Sequence, residues 1–277
     1  MPESIASYFS HNGQMKPVKE FNDEFLQKPH YIYEVFRVID GVALFLEDHL
    51  ERLKQTCALS EHCQGFTASE VVKHVYEVIQ RNQLKVGNMK MVLYKDSNAE
   101  NHFLIYITPH EYPTDDQFRE GIPVAFFRGI RNNPNAKVMD IALRTATNLM
   151  KQQKEVYETL LVDQNGCITE GSRSNVFFAR QGAIITPPLK DVLPGITRKY
   201  ILDICKKLGI EAREEQVVAR SVVIMEAAFI SGTSRKVLPV KSIDALEFDA
   251  NHPLVRKIAA AFDEHTKNYI TNKLLKT

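Results

Sequence analysis

The chain of 277 residues has no excess of charge of either sign, no tryptophan, only four cysteines and no run of eighteen apolar residues. Most of these shortages exclude something. Thirty-five Lys and Arg against 34 Asp and Glu leave a formal net charge of +1, which excludes a polybasic nucleic-acid binder. An anion recognised by such a chain has to be held by a local site. With 25% charged and 44% hydrophobic residues, bulk disorder is excluded as well. Without a long apolar run, no segment is expected to span a membrane. Met1 to Lys19 contain no apolar stretch of seven or more residues, so no secretory signal is expected. Cys57 and Cys63 are six apart, and Cys167 and Cys205 stand alone. That spacing matches no CxxC zinc pattern and is too sparse for a disulfide framework. Reduced thiols in a cytoplasmic protein without a metal are the expectation.

What is present reads as two unequal domains, 1–115 and 116–277. After a polar lead-in, Tyr31 to Val38 is rich in aromatic and β-branched residues and predicts a strand. Ile39-Asp40-Gly41 supplies a turn, and Val42 to Leu46 returns as its hairpin partner. Helical spacing follows over Glu47 to Leu59 and Ala68 to Arg81, then strands at Met89 to Tyr94 and Phe103 to Ile107. Pro109 to Gly121, with two prolines, is the candidate linker. The second half predicts a strand at Pro123 to Phe127 and a helix over Ile141 to Tyr157 with Leu143, Ala146, Leu149 and Met150 on one face. Hairpins at Thr159 to Thr169 and Asn175 to Thr186 come next. A helix over Ile196 to Leu208 stops at Gly209, strands flank Ser231 to Ser234, and a helix over Leu254 to Leu274 ends the chain. The fold class is α+β.

Four places carry candidate chemistry. Leu193-Pro194-Gly195-Ile196-Thr197-Arg198 opens a helix, where unsatisfied N–H groups and the helix dipole suit an anion. Taken alone it is also an ordinary helix start. Ser231-Gly232-Thr233-Ser234 is a second turn of small polar residues. Lys137 precedes the Ile141 helix, and Glu170 follows it by thirty-three residues in Thr169-Glu170-Gly171-Ser172-Arg173-Ser174-Asn175. Such a pair alone is most often solvated surface charge.

Taken in order, several segments resemble one family. They are Tyr33-Glu34, His49-Leu50-Glu51-Arg52-Leu53, Lys137, Ile168-Thr169-Glu170-Gly171-Ser172 with Asn175 and Phe177, Leu193 to Arg198, and Ser231-Gly232-Thr233 with Pro239-Val240. The set is similar to the class IV, fold-type IV enzymes that use pyridoxal 5'-phosphate, the group of branched-chain and D-amino-acid aminotransferases and aminodeoxychorismate lyase. The resemblance implies a small α/β N-terminal domain, a larger strand-rich pseudo-barrel domain, the cofactor between them, and a homodimer completing the site. It implies that Lys137 is the catalytic lysine, bonding the cofactor's aldehyde and moving the substrate's proton. It implies that Glu170 pairs with the pyridine nitrogen and that Arg52 grips the phosphate. Gly195, Ile196, Thr197 and Thr233 would complete the phosphate cradle, so the two anion signals acquire one explanation. The ordinary alternatives are a helix-surface Arg52, a plain strand carboxylate at Glu170 and a bystander Lys137. Lys90 stands where related enzymes carry a basic or aromatic residue facing the substrate; an exposed strand lysine is its alternative.

The chain also departs from the family. Lys28-Pro29-His30-Tyr31-Ile32 replaces a Gly-rich segment, and Leu93-Tyr94-Lys95-Asp96 replaces a Thr-Arg-Gly. Tyr31, Tyr33, Lys90, Lys95, Ser234 and Arg235 are the substrate-side candidates. The expected activity is transfer of an amino group from an amino acid, branched-chain or otherwise apolar, to a 2-oxo acid, both small-molecule partners. The lyase, which releases 4-aminobenzoate and pyruvate, is the alternative within the family. A non-catalytic binding protein retaining the fold is the alternative outside it.

Overall fold

A computed structural model of the chain describes residues 3–28, 30–60, 65 and 67–275. Pro29 and Cys63 lie outside the described residues. Backbone proximity divides the chain into two compact units. The first comprises Met1–Glu111, Ala136–Met139 and Thr266–Thr277, and the second Tyr112–Asn135 and Asp140–His265. Lys137 therefore groups with the first unit, through a four-residue return of the chain.

The first unit is built on β1 (Tyr8–His11), β2 (Gln14–Pro17), β3 (Ile32–Ile39), β4 (Val42–Ala43), β5 (Val86–Lys95) and β6 (Asn101–Thr108). They form one antiparallel sheet in the order β2-β1-β6-β5-β3-β4. Helices α1 (Leu46–Leu59) and α2 (Ala68–Arg81) belong to this unit. A capping box between Thr67 and Glu70 starts α2, satisfying N–H groups that the helix leaves unpaired. Strand alternation sorts the side chains onto two faces. Ile32, Phe36, Met89 and Met91 pack with Leu53, Val75 and Val78 of the helices. Tyr31, Tyr33, Val92, Tyr94, Leu104 and Tyr106 face the other way and pack with Phe9 and Phe25. Burying each large apolar side chain contributes roughly 1.5–3 kcal/mol, so both faces add to stability.

The second unit holds α3 (Asp115–Glu120), β7 (Ile122–Arg128), α4 (Ile141–Lys154), β8 (Glu158–Val162), β9 (Cys167–Gly171), β10 (Asn175–Arg180), β11 (Ala183–Thr186), α5 (Ile196–Lys207), β12 (Ala212–Glu214), β13 (Val217–Val218), β14 (Ala227–Gly232), β15 (Lys236–Ile243) and β16 (Leu246–Glu247). Its curled sheet runs β12-β11-β10-β14-β15-β7-β8-β9-β13, with β16 beside β15. Val124, Leu160, Ile168, Val176, Phe178, Leu238 and Val240 form its core. The last helix, α6 (Pro253–Leu274), begins in this unit, and its residues from Thr266 group with the first.

Four local expectations change. The polar lead-in is a hairpin, because Asn12 and Gly13 both take positive φ, 48° and 79°, the geometry of a tight two-residue turn. The return strand after Gly41 is only Val42–Ala43, since α1 begins at Leu46. In α4, Thr147 is the buried residue and Leu149 is 53% exposed. The apolar stripe read there is not a core stripe within this chain. The linker segment contains α3, begun by a Thr114–Gln117 capping box. Cys57, Cys167 and Cys205 are buried thiols, and burial pushes the Cys205 thiol up to about 11.

Candidate active site

Lys137 is fixed by backbone pairing to the start of β3. Tyr33 N–H donates to the Lys137 carbonyl at 3.1 Å, and Met139 N–H donates to the Tyr31 carbonyl at 2.8 Å. Ile32 and Val138 form the bridge between them. The Lys137 N–H donates to Thr56 Oγ1 on α1 at 3.1 Å. From this bridged segment the side chain places its Nζ 4.7 Å from the centroid of the Tyr33 ring. A lysine carried on a sheet rather than on a loose loop is well positioned for chemistry.

On the helix side of β3 lies a buried carboxylate network. Glu34 Oε1 accepts from Arg52 Nε at 2.7 Å, Oε2 accepts from a terminal Arg52 nitrogen at 2.6 Å, and His49 Nδ1 lies 2.7 Å from the same Oε2. All three residues are buried. Burial alone pushes the Glu34 carboxyl up, but the Arg52 guanidinium and His49 outweigh it and hold it down to about 2. Burial pushes His49 below its ordinary value, with Glu34 opposing. Arg52 is thus an oriented interior arginine and not a helix-surface one.

Lys90 is buried as well, at 7% exposure. Its Nζ lies 5.4–5.9 Å from the ring centroids of Phe25, Tyr31, Tyr33 and Tyr106, the range of cation–π attraction. Its ion-pair partner is Glu3, at 2.5 Å, and the Tyr106 hydroxyl donates to the same Glu3 oxygen at 2.8 Å. Tyr31, Tyr33, Lys90 and the Lys137 ammonium therefore share one face of the first unit. Lys95 does not join them: it is exposed at the end of β5, and its odd spacing from Lys90 turns it to the opposite face.

In the second unit, Glu170 ends up on β9 in a buried position. Arg131 donates from Nε to its Oε1 at 2.8 Å, and Leu193 N–H donates to its Oε2 at 3.1 Å. Arg131 was not a sequence candidate; it lies in Gly129-Ile130-Arg131, a stretch with no motif of its own. Asn175 ties the two anion signals together. It pairs with Ser231 across the β10–β14 ladder, and its side-chain amide donates to the Leu193 carbonyl at 3.0 Å. A Cβ on Gly195 would collide with Asn175 Oδ1, so only glycine permits this approach. Helix α5 then begins without a side-chain cap. Ile196 and Thr197 are buried in its first turn, and the Ser231 hydroxyl is buried without a hydrogen-bond partner. Uncapped N–H groups at a helix start suit a phosphate.

Thr233, Ser234 and Arg235 follow in the turn before β15 and are all partly buried. Arg235 reaches Glu158 at 3.7 Å and lies 5.5 Å from the Tyr157 ring centroid. Glu158 is fully buried and accepts from the Ser172 and Ser174 hydroxyls and from the N–H groups of Thr159 and Arg173. This carboxylate, also absent from the sequence candidates, fixes the loop that follows Glu170.

The first unit carries an amine on an aromatic face, and the second carries a buried carboxylate and an uncapped, glycine-led helix start; these are the kinds of group that a phosphorylated pyridine aldehyde requires. The α+β framework is that of the fold-type IV enzymes dependent on pyridoxal 5'-phosphate. The chain belongs to the class IV aminotransferases: the family model described as amino-transferase class IV matches residues 31–243. It is 26% identical to the D-alanine aminotransferase of Bacillus licheniformis, over 89% of each chain. It is also 26% identical to the branched-chain-amino-acid aminotransferase of Escherichia coli strain K12, over 95% of this chain and 94% of the relative. A crystal structure of the Escherichia coli branched-chain enzyme superposes with a TM-score of 0.85 at 23% identity, covering 94% of this chain and 95% of the other. Among the described residues no helix is long and apolar enough to cross a membrane.

Proposed function

We propose that this aminotransferase moves the amino group of a branched-chain or other apolar amino acid to a 2-oxo acid, as a homodimer in the cytoplasm. The observation that carries the reading is Lys137, pinned through its backbone to β3 and Thr56, with its Nζ over the Tyr33 ring. Pyridoxal 5'-phosphate, when bound, supplies the aldehyde that takes the amino group and a ring that accepts the electrons released at the substrate's Cα. Lys137 holds that aldehyde and carries the Cα proton on its Nζ. Glu170, oriented by Arg131 and Leu193, pairs with the pyridine nitrogen. Arg52, oriented by Glu34 in the first unit, is assigned to the phosphate; so, in the second unit, are the N–H groups at Gly195, Ile196 and Thr197 and the Thr233 hydroxyl. Tyr31, Tyr33 and Lys90 form the substrate side, and their ring surface suits an apolar side chain. Ser234 and Arg235, in the second unit's turn before β15, are the remaining substrate-side candidates. Lys95, turned to the opposite face, is left out. The homodimer is supported by the exposed Leu149 and Ile130, apolar positions that this chain leaves uncovered.

The test is spectroscopic. Enzyme loaded with pyridoxal phosphate is mixed with a panel of L- and D-amino acids, and its yellow absorbance is followed. Apolar donors should bleach it, and 2-oxo acids should restore it. Pyruvate release from aminodeoxychorismate without an acceptor would assign the lyase reaction instead, and a panel with no bleaching donor would overturn transamination.

A further inference from the structure

We propose that Glu3 sets the substrate range of this site by neutralising Lys90, so that a second substrate carboxylate is rejected. The proposal rests on the transamination reading and adds a residue to it. Lys90 shares its sheet face with Tyr31, Tyr33 and the Lys137 ammonium. A cation so deeply buried needs a counter-charge. The ring faces offer only partial compensation, and Glu3 provides the full charge at 2.5 Å.

The geometry makes Glu3 a resident group. Its Oε1 receives both the Lys90 ammonium and the Tyr106 hydroxyl. Ser4 beside it is buried, and Ile5 N–H donates to the Ile107 carbonyl at 3.1 Å, which anchors the segment along β6. Burial, reinforced by Glu3, pushes the Tyr106 hydroxyl well above its ordinary value, so it stays a donor to the carboxylate. Glu3 also lies outside the 31–243 segment that matches the family. The neutralising charge is therefore delivered by the chain's own N-terminal segment onto a position within that segment.

The consequence is a difference in affinities. With Glu3 in place the charge of Lys90 is balanced: an apolar side chain meets aromatic rings, whereas a distal carboxylate meets a lysine already paired and a like charge beside it. In Glu3→Gln the amide oxygen still accepts from Tyr106, but Lys90 loses its counter-charge and gains affinity for an external carboxylate.

Two measurements on the holoenzyme test this. The ratio of kcat/KM for glutamate to that for leucine should rise about tenfold or more in Glu3→Gln and return toward the wild-type value in Glu3→Gln/Lys90→Met. Binding of glutarate, which needs no turnover, should tighten in Glu3→Gln by a similar factor and be lost in the double variant. Unchanged glutarate binding and an unchanged ratio in Glu3→Gln, with the fold intact by thermal melting, would overturn the proposal. If no amino acid is turned over by any variant, the transamination reading fails, while glutarate binding still decides the role of Glu3.

Discussion

Arg131 Nε and Glu170 Oε1 are 2.8 Å apart in a buried ion pair, and Leu193 N–H closes on the other Glu170 oxygen at 3.1 Å. The carboxylate is thereby held from two sides by segments distant in sequence, one of which leads directly into the Gly195 helix start. Leu193-Pro194-Gly195 thus links the Glu170 carboxylate to the helix start proposed to hold the phosphate.

Removing either partner separates charge from orientation. Glu170→Gln should lower kcat by about 10²–10³, the scale on which loss of an aimed electrostatic group acts. Arg131→Met leaves the carboxylate chemically intact but unpaired, so it should cost roughly 3–5 kcal/mol of stability with a smaller loss of kcat. Steady-state kinetics and denaturant melts on the two variants check the ordering.

Gly195→Ala should weaken pyridoxal phosphate binding by about tenfold, since the added methyl drives Asn175 Oδ1 away and shifts Leu193 with it. Gly195→Ala/Asn175→Ala should recover part of the loss, because the colliding oxygen is gone. Titration of apoenzyme with the cofactor measures both.

The Glu34 network makes an acid limb of stability. The folded carboxyl titrates at about 2, below its ordinary 4.5. A lowered folded value means stability that is complete above the unfolded value and lost as pH falls through the folded one. For Glu34 this amounts to about 3 kcal/mol, lost between roughly pH 5 and pH 2. His49, depressed by burial, acts in the same direction when it takes up a proton. Urea melts from pH 7 downward should show the decline, and Glu34→Gln should be less stable at pH 7 with a flatter pH dependence.

Much of this was legible from local pattern. Ala68–Arg81, Ala183–Thr186 and Ile196–Lys207 follow from helical or alternating spacing with recognisable ends. The candidate positions Lys137, Glu170 and Gly195 stand out in the sequence only through the ordered set of segments that resembles the family. The Tyr8 to Pro17 hairpin had its signal in Asn12-Gly13, which a polar composition obscured. What was not legible depends on partners remote in sequence. Nothing near Arg131 announces Glu170, thirty-nine residues on, and nothing near Lys90 announces Glu3, eighty-seven residues back. Glu158 reads as the edge of an apolar strand until the Ser172–Ser174 loop is folded onto it. The stripe of α4 shows the reverse error: periodicity marks an apolar face without saying what covers it.

The central claim is that Lys137 is the residue that bonds the cofactor's aldehyde. Its most direct test is reduction of the loaded enzyme with borohydride, followed by digestion and mass spectrometry. A phosphopyridoxyl mass on the peptide bearing Lys137, absent from Lys137→Ala together with the yellow absorbance, is the predicted result. A label on another lysine, or none on a folded enzyme that has been given the cofactor, would contradict it.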